Sequence, residues 1–183
     1  MLHPEALTGC HGKRPRPARW MHFQVPVDAD VIMGDTRMTT QGSERKNHNN
    51  HPFPGYVKDC QFALAHNGVL RNDLLLRKQY KLPETKIETD SYIAMQLIED
   101  CGELTVESLQ TMAEKQEGSS AFAVLSDKDE LYFIKGDNPI CLYHYPEWGL
   151  YVYASTEKIL RTARGSFGDT GACGSGLWRH SVN

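Results

Sequence analysis

Apolar and polar positions divide the chain into stretches of different character. Residues 1–26 are punctuated by Pro4, Pro15, Pro17 and Pro26 and keep neither a helical nor a strand period. Val27–Met33 alternates and is rich in β-formers, which predicts a strand ending at Gly34. Residues 41–59 form a long polar stretch, which predicts a long loop, functional or disordered. Gln61–His66 predicts a short strand closed by the Asn67-Gly68 turn signal. The period then becomes helical. One helix is expected over Asn72–Tyr80, around Leu74, Leu75 and Leu76. A second runs from a Thr89 cap to about Asp100, with Ile93, Leu97 and Cys101 on one face. A third starts at a Thr105 cap and turns Leu109, Met112 and Ala113 inward.

After Gly118 the pattern becomes strand-like. Ala121–Leu125, Leu131–Ile134, Ile140–Tyr145 and Leu150–Ala154 are separated by short turns. Short turns imply an antiparallel meander, because parallel neighbours need long crossovers. Thr156–Arg164 predicts a closing helix, and the glycine-rich stretch 165–183 a loose tail. Strands, then helices, then a meander and a helix define an α+β chain and disfavour a doubly wound parallel sheet. The expected organisation is an irregular segment over 1–26, one domain over 27–164, and the tail.

Composition narrows the class. The 183 residues fit one compact domain, and 40% hydrophobic with 23% charged residues is ordinary for a globular fold. No apolar run approaches the ~18 residues that span a bilayer, so no membrane association is expected. A net charge of −3 gives no reason to expect nucleic-acid binding. Five scattered cysteines without a CxxC pair point to no disulfide framework and to a reducing, cytoplasmic setting. His48, His51, Cys60 and His66 have spacings a metal could use, but the polar loop is better read as part of an amino-acid site, and neither metal nor cofactor is expected.

Four polar clusters sit at ends of predicted elements: Asp35–Gly42, Asn49-Asn50-His51-Pro52, His66-Asn67-Gly68 with Asn72, and Glu88-Thr89-Asp90. Singly, each has an ordinary reading. Arg37 could be a solvated charge, Asn67-Gly68 a turn, Asp90 a capping residue and His51 a loop histidine. Together they suit an amino-acid ligand. Arg37 offers a planar, bidentate partner for an α-carboxylate, and Asp90 an anion for an α-ammonium. The Asn67 amide and the Gly68 N–H could hold an oxyanion where a side-chain amide is attacked.

The ordered series Thr-Arg-x-x-Thr-x-Gly (36–42), Asn-x-His-Pro (49–52), His-Asn-Gly-x-x-x-Asn (66–72) and Glu-Thr-Asp (88–90) resembles the class II glutamine amidotransferases. These are the glutaminase domains of the N-terminal-nucleophile hydrolases, and the likeness is to the glucosamine-6-phosphate synthase type. It covers roughly Val27 to Arg161. The resemblance implies a four-layer αββα sandwich. It implies Arg37 on the glutamine carboxylate assisted by Thr40 and Gln41, Asp90 on the amino group, and Asn67 with Gly68 as the oxyanion hole. It also implies glutamine as the small-molecule ligand and a synthase partner chain that accepts the ammonia.

The chain departs from the family pattern at Asp35, Met38 and Gln41 and, above all, at its start. The family nucleophile is a cysteine exposed as residue 1 in Cys-Gly-Ile. This chain opens Met1-Leu2-His3-Pro4, holds no Cys-Gly-Ile, and has only 36 residues before Arg37. Cys10 precedes His11-Gly12 without a following β-pattern, Cys60, Cys101 and Cys141 read as small buried hydrophobes, and Cys173 falls in the tail. The expectation is a sandwich incomplete at its N-terminus, with an exposed β edge and reduced stability or dependence on a partner. Two functional readings follow. One is a glutaminase domain that hydrolyses glutamine to glutamate and ammonia for an acceptor. The other is a non-catalytic glutamine-binding or regulatory module, or a truncated gene product.

Overall fold

A computed structural model describes residues 13–22, 24–163 and 178–180. Five strands form an antiparallel sheet in the order β1-β2-β3-β4-β7: Phe53–Val57 (β1), Cys60–Leu70 (β2), Gly118–Ser126 (β3), Leu131–Lys135 (β4) and Trp178–His180 (β7). Cys141–Tyr145 (β5) and Leu150–Ala154 (β6) pair antiparallel in a second, two-stranded sheet. The helices are Asp73–Gln79 (α1), Tyr92–Cys101 (α2), Val106–Glu114 (α3) and Glu157–Ala163 (α4).

Side-chain alternation on the large sheet sets the layers. Phe53, Phe62, Leu64, Phe122, Val124, Tyr132 and Ile134 enter one core with Ile93, Leu97, Ile98, Leu109 and Met112 from α2 and α3. Phe133 points the other way and meets Tyr153 of β6 edge-on at 4.6 Å. On the far side of the small sheet, Cys141, Tyr143 and Tyr145 pack with Leu160 of α4. The order is helices, sheet, sheet, helix, in agreement with an αββα sandwich.

Local signals explain several elements. Thr105 caps α3 in a reciprocal box with Ser108: the Thr105 Oγ1 accepts from Ser108 N and the Ser108 Oγ from Thr105 N. Asn72 stands at the start of α1 and ties it to the approach of β3, donating to the Lys115 carbonyl and accepting from Glu117 N. The Ser126 hydroxyl accepts from Lys128 N and Glu130 N and shapes the β3–β4 turn.

Other expectations are corrected. Val27–Met33 forms no strand and pairs with neither sheet. The polar stretch 41–59 contains β1, which Pro54 and Gly55 disguise; proline is tolerated there because β1 lies at a sheet edge. Asn67-Gly68 is not a turn. β2 continues through it to Leu70, with Gly68 opposite Ser120 and Leu70 opposite Gly118. The backbones nearly touch here. A Cβ on Gly68 would lie 2.0 Å from the Ser119 carbonyl oxygen, and one on Gly118 2.1 Å from that of Val69. The Asn-Gly pair is therefore read by its partner strand, not by its own turn propensity.

Ser91, not Thr89, occupies the N-cap position of α2, and Thr89 bends the backbone just before it. Cys101 is exposed rather than on the buried face with Ile93 and Leu97. The expected meander splits into β3–β4 and β5–β6 in different sheets. Within the expected loose tail, Trp178–His180 pairs with β4; Cys173 and most of that tail, like Cys10, lie outside the described residues.

Candidate functional site

The motif clusters converge at one end of β2. The turn before α2 presents Asp90, which is 2% exposed. Its Oδ2 accepts a 2.6 Å hydrogen bond from Leu70 N at the end of β2, and its Oδ1 accepts from Ser91 Oγ at 3.4 Å. The Ser91 hydroxyl also lies 2.8 Å from His66 Nδ1. His66 stacks on Phe122 (centroids 4.3 Å apart) and stands edge-on to His51 at 6.4 Å. Burial, and next the neighbouring His51, push the His66 pKa down from 6.5 to about 4; Asp90, the Ser119 carbonyl and Asp35 oppose the shift.

Glu88 and Asn49 join the second and fourth clusters. Asn49 is wholly buried; its Oδ1 accepts from Glu88 N, and its Nδ2 donates to the Ser43 carbonyl and to Glu88 Oε2. Lys46 pairs with Glu88 Oε1, and these contacts, Lys46 first and Asn49 second, hold the Glu88 carboxyl down at about 2.

Arg37 lies on the unpaired extended segment. Its guanidinium donates to Asn50 Oδ1 at 3.1 Å and to the Gln41 carbonyl. Burial lowers its pKa, while Asp90 foremost, then Asp35 and Glu44, raise it again. Two residues earlier, Asp35 Oδ2 lies 3.3 Å from His51 Nδ1. Asp35 and Arg37 are thus both held by the Asn49–Pro52 turn. Arg37 and Asp90 act on each other electrostatically without an ion pair within 4 Å, leaving a gap between cation and anion.

Of the other expected site residues, Thr40 and Gln41 are exposed in the turn after Arg37, and Gln41 reaches Arg37 through its backbone carbonyl. Asn67 is exposed on β2, and its carbonyl accepts from Asn138 Nδ2 at 2.8 Å. Gly68 is half-buried and precedes Leu70 by two residues, about 7 Å along an extended strand. An extended glutamine separates its α-nitrogen from its amide oxygen by about 6 Å, five bonds of ~1.5 Å in zigzag. The spacing along β2 suits such a ligand.

Cys60 and Cys141 are buried, and burial pushes the Cys60 thiol up to about 11, assisted by Asp127. Cys60 lies about 20 Å along β2 from His66, so the two do not share a metal-sized site with His48 and His51. Among the described residues, no group of three or more His, Cys, Asp and Glu side chains is placed to hold a metal.

Sequence reasoning missed Ser91, Asn138 and Lys13 as contributors and weighed Asp35 only as a departure from a pattern. Ser91 directly follows Asp90 and could have been found by extending the motif. Asn138 and Lys13 are distant in sequence from what they touch and carry no local signal.

No family model matches the chain. It is 33% identical over 125 residues to the glutamine–fructose-6-phosphate aminotransferase [isomerizing] of Streptococcus pyogenes, an alignment covering 64% of this chain and 20% of that protein. It is 34% identical over 122 residues to the Staphylococcus aureus protein of the same name, covering 63% and 20%. The chain therefore spans about a fifth of the length of these relatives. In fold it is similar to the Bacillus subtilis glutamine phosphoribosylpyrophosphate amidotransferase solved with ADP and GMP, with a TM-score of 0.52 and 23% identity over 60% of this chain and 25% of that one.

With its helix–sheet–sheet–helix sandwich and these four clusters in order, the chain is similar in sequence to glutamine–fructose-6-phosphate aminotransferases and in fold to a glutamine phosphoribosylpyrophosphate amidotransferase, both class II glutamine amidotransferases. Within that class, the sequence similarity is to the glutamine–fructose-6-phosphate aminotransferases. Among the described residues, no helix is long and apolar enough to cross a membrane.

Proposed function

We propose that this site binds glutamine and that the domain serves glutamine hydrolysis, releasing glutamate and ammonia for an acceptor on a synthase partner. The observation carrying the reading is the pairing of Arg37 with Asp90 across a gap at the end of the strand that bears Asn67 and Gly68. Two of the five guanidinium N–H donors of Arg37 are engaged within the protein, which leaves donors for an α-carboxylate. Asp90, held by Leu70 N, keeps lone pairs for an α-ammonium. A nucleophile adding to the side-chain amide carbon drives charge onto its oxygen, where the Asn67 amide and the Gly68 N–H would receive it. Collapse expels ammonia, and water resolves the acyl intermediate.

A second reading, glutamine binding without turnover, is favoured by one observation. Cys60 and Cys141 are buried, and Cys101 sits exposed at the far end of α2, so none of the three supplies an attacking thiol at the clamp. Calorimetric titration with glutamine alongside an ammonia assay separates the two: heat with ammonia supports hydrolysis, and heat without it supports the binding module.

Arg37→Lys is expected to raise the glutamine dissociation constant about 10- to 100-fold, because an ammonium cannot replace the bidentate fork. Asp90→Asn is expected to weaken glutamine binding while leaving 4-carbamoylbutyrate, which lacks the α-amine, nearly unaffected. Equal glutamine affinity of parent and Arg37→Lys would overturn the carboxylate assignment.

A further inference from the structure

The segment carrying Arg37 belongs to no sheet, so something other than strand pairing must aim its guanidinium. Besides the Gln41 carbonyl, which lies on the same segment, and a contact of Gly34 with Tyr153, its side-chain contacts end on one turn: Arg37 Nη1 on Asn50 Oδ1 and Asp35 Oδ2 against His51 Nδ1. That turn is in turn gripped by Lys13. The Lys13 ammonium donates to the Asn50 carbonyl at 2.7 Å and to the Pro52 carbonyl at 3.2 Å, bracketing His51, and lies 5.5 Å from the centre of the Phe53 ring. Asn47 Nδ2, just ahead of the turn, donates back to the Lys13 carbonyl at 3.0 Å. Asn50 closes the circuit by donating its Nδ2 to the Glu44 carbonyl at 2.8 Å. Asn50 is thus the side chain that holds Arg37 from outside its own segment, and Lys13 holds Asn50.

We propose that Lys13 is a positioning residue for the ligand carboxylate: by clamping the Asn50 and Pro52 carbonyls it sets the Asn50 side chain that aims Arg37. Lys13 touches no ligand itself. Its charge matters because a half-buried cation between two carbonyls and an aromatic face makes charge-assisted hydrogen bonds that a neutral side chain cannot. Burial lowers the Lys13 pKa, in keeping with a desolvated ammonium held by the fold. The proposal rests on the reading of Arg37 as the carboxylate partner of glutamine.

The test is a double-mutant cycle on the full chain, read by calorimetric titration with glutamine. Lys13→Met keeps the aliphatic stem and removes the donors. It is expected to weaken glutamine binding about tenfold, with the thermal midpoint nearly unchanged. Lys13→Arg, which retains donors for both carbonyls, is expected to keep most of the affinity. In an Arg37→Lys background, Lys13→Met is expected to have little further effect, because the fork it aims is already gone. A loose fold would instead lower affinity by the same factor in both backgrounds, which overturns the proposal, as does unchanged affinity in Lys13→Met alone. If Arg37→Lys weakens binding and Lys13→Met does not, only the role of Lys13 falls. If Arg37→Lys also binds normally, or the parent chain binds no glutamine, the reading of the site falls with it.

Discussion

Gly68→Ala is expected to be the most damaging single methyl that this domain can receive. The added Cβ would stand 2.0 Å from the Ser119 carbonyl oxygen and 2.8 Å from His66 Nε2. Gly68 also has φ +152, where an L side chain is strained before any contact is counted. The nearest obstruction is backbone in the middle of the β2–β3 ladder, so relief requires the two strands to part. A cost of about 3–5 kcal/mol is expected, near the whole stability of many small domains. Urea unfolding followed by tryptophan fluorescence would measure it. A variant within about 1 kcal/mol of the parent would show that β2 and β3 do not approach as closely as described.

The second large effect is on pH dependence and comes from His66. In the unfolded chain its pKa is near 6.5, and in the fold it is held at about 4 by burial and by His51. Between those values the unfolded state binds the proton and the folded state refuses it. Stability contributed by this group is therefore complete above about pH 6.5 and is lost as the pH falls toward 4. The loss amounts to about 3 kcal/mol, since each pH unit between the two values is worth about 1.4 kcal/mol. Urea midpoints at pH 7.5, 6, 5 and 4 should fall steadily for the parent. His66→Gln should flatten that slope, because glutamine keeps an amide toward Ser91 and takes up no proton. The Glu88 carboxyl, held at about 2 by Lys46 and Asn49, takes up its proton in more acidic solution than His66, so the two contributions separate on the pH axis. An equal slope in parent and variant would assign the dependence to another group.

The two effects share one place in the molecule. His66, Gly68 and Leu70 alternate along β2 toward the same face, so a single strand segment carries the stacked imidazole, the close backbone approach and the amide that holds Asp90. A strand this constrained is a rigid base for a ligand site, because its hydrogen bonds and packing resist displacement from both sides.

What the sequence determined by itself was closed within a few residues. The Thr105–Ser108 box starts α3 wherever the helix is placed, because donors and acceptors lie three residues apart. The runs at 121–125, 131–134 and 150–154 are strands in any environment that covers one face. Arg37 and Asp90 carry the opposite charges that the proposed amino-acid clamp requires, legible from residue type once the four clusters are taken together. Tertiary structure decided everything that depended on a distant partner. Val27–Met33 has β-forming side chains but no neighbour to pair with, whereas Phe53–Val57 has proline and glycine yet finds β2 beside it. Asn67-Gly68 reads as a turn until β3 arrives to continue the ladder past it. Trp178–His180 becomes a strand because β4 offers an edge. Lys13, Asp35 and Asn138 acquired their roles in the same way. A cap or turn is satisfied by its own neighbours, while a strand edge, a buried carboxylate or a clamped carbonyl is satisfied only by whatever the fold brings across to it.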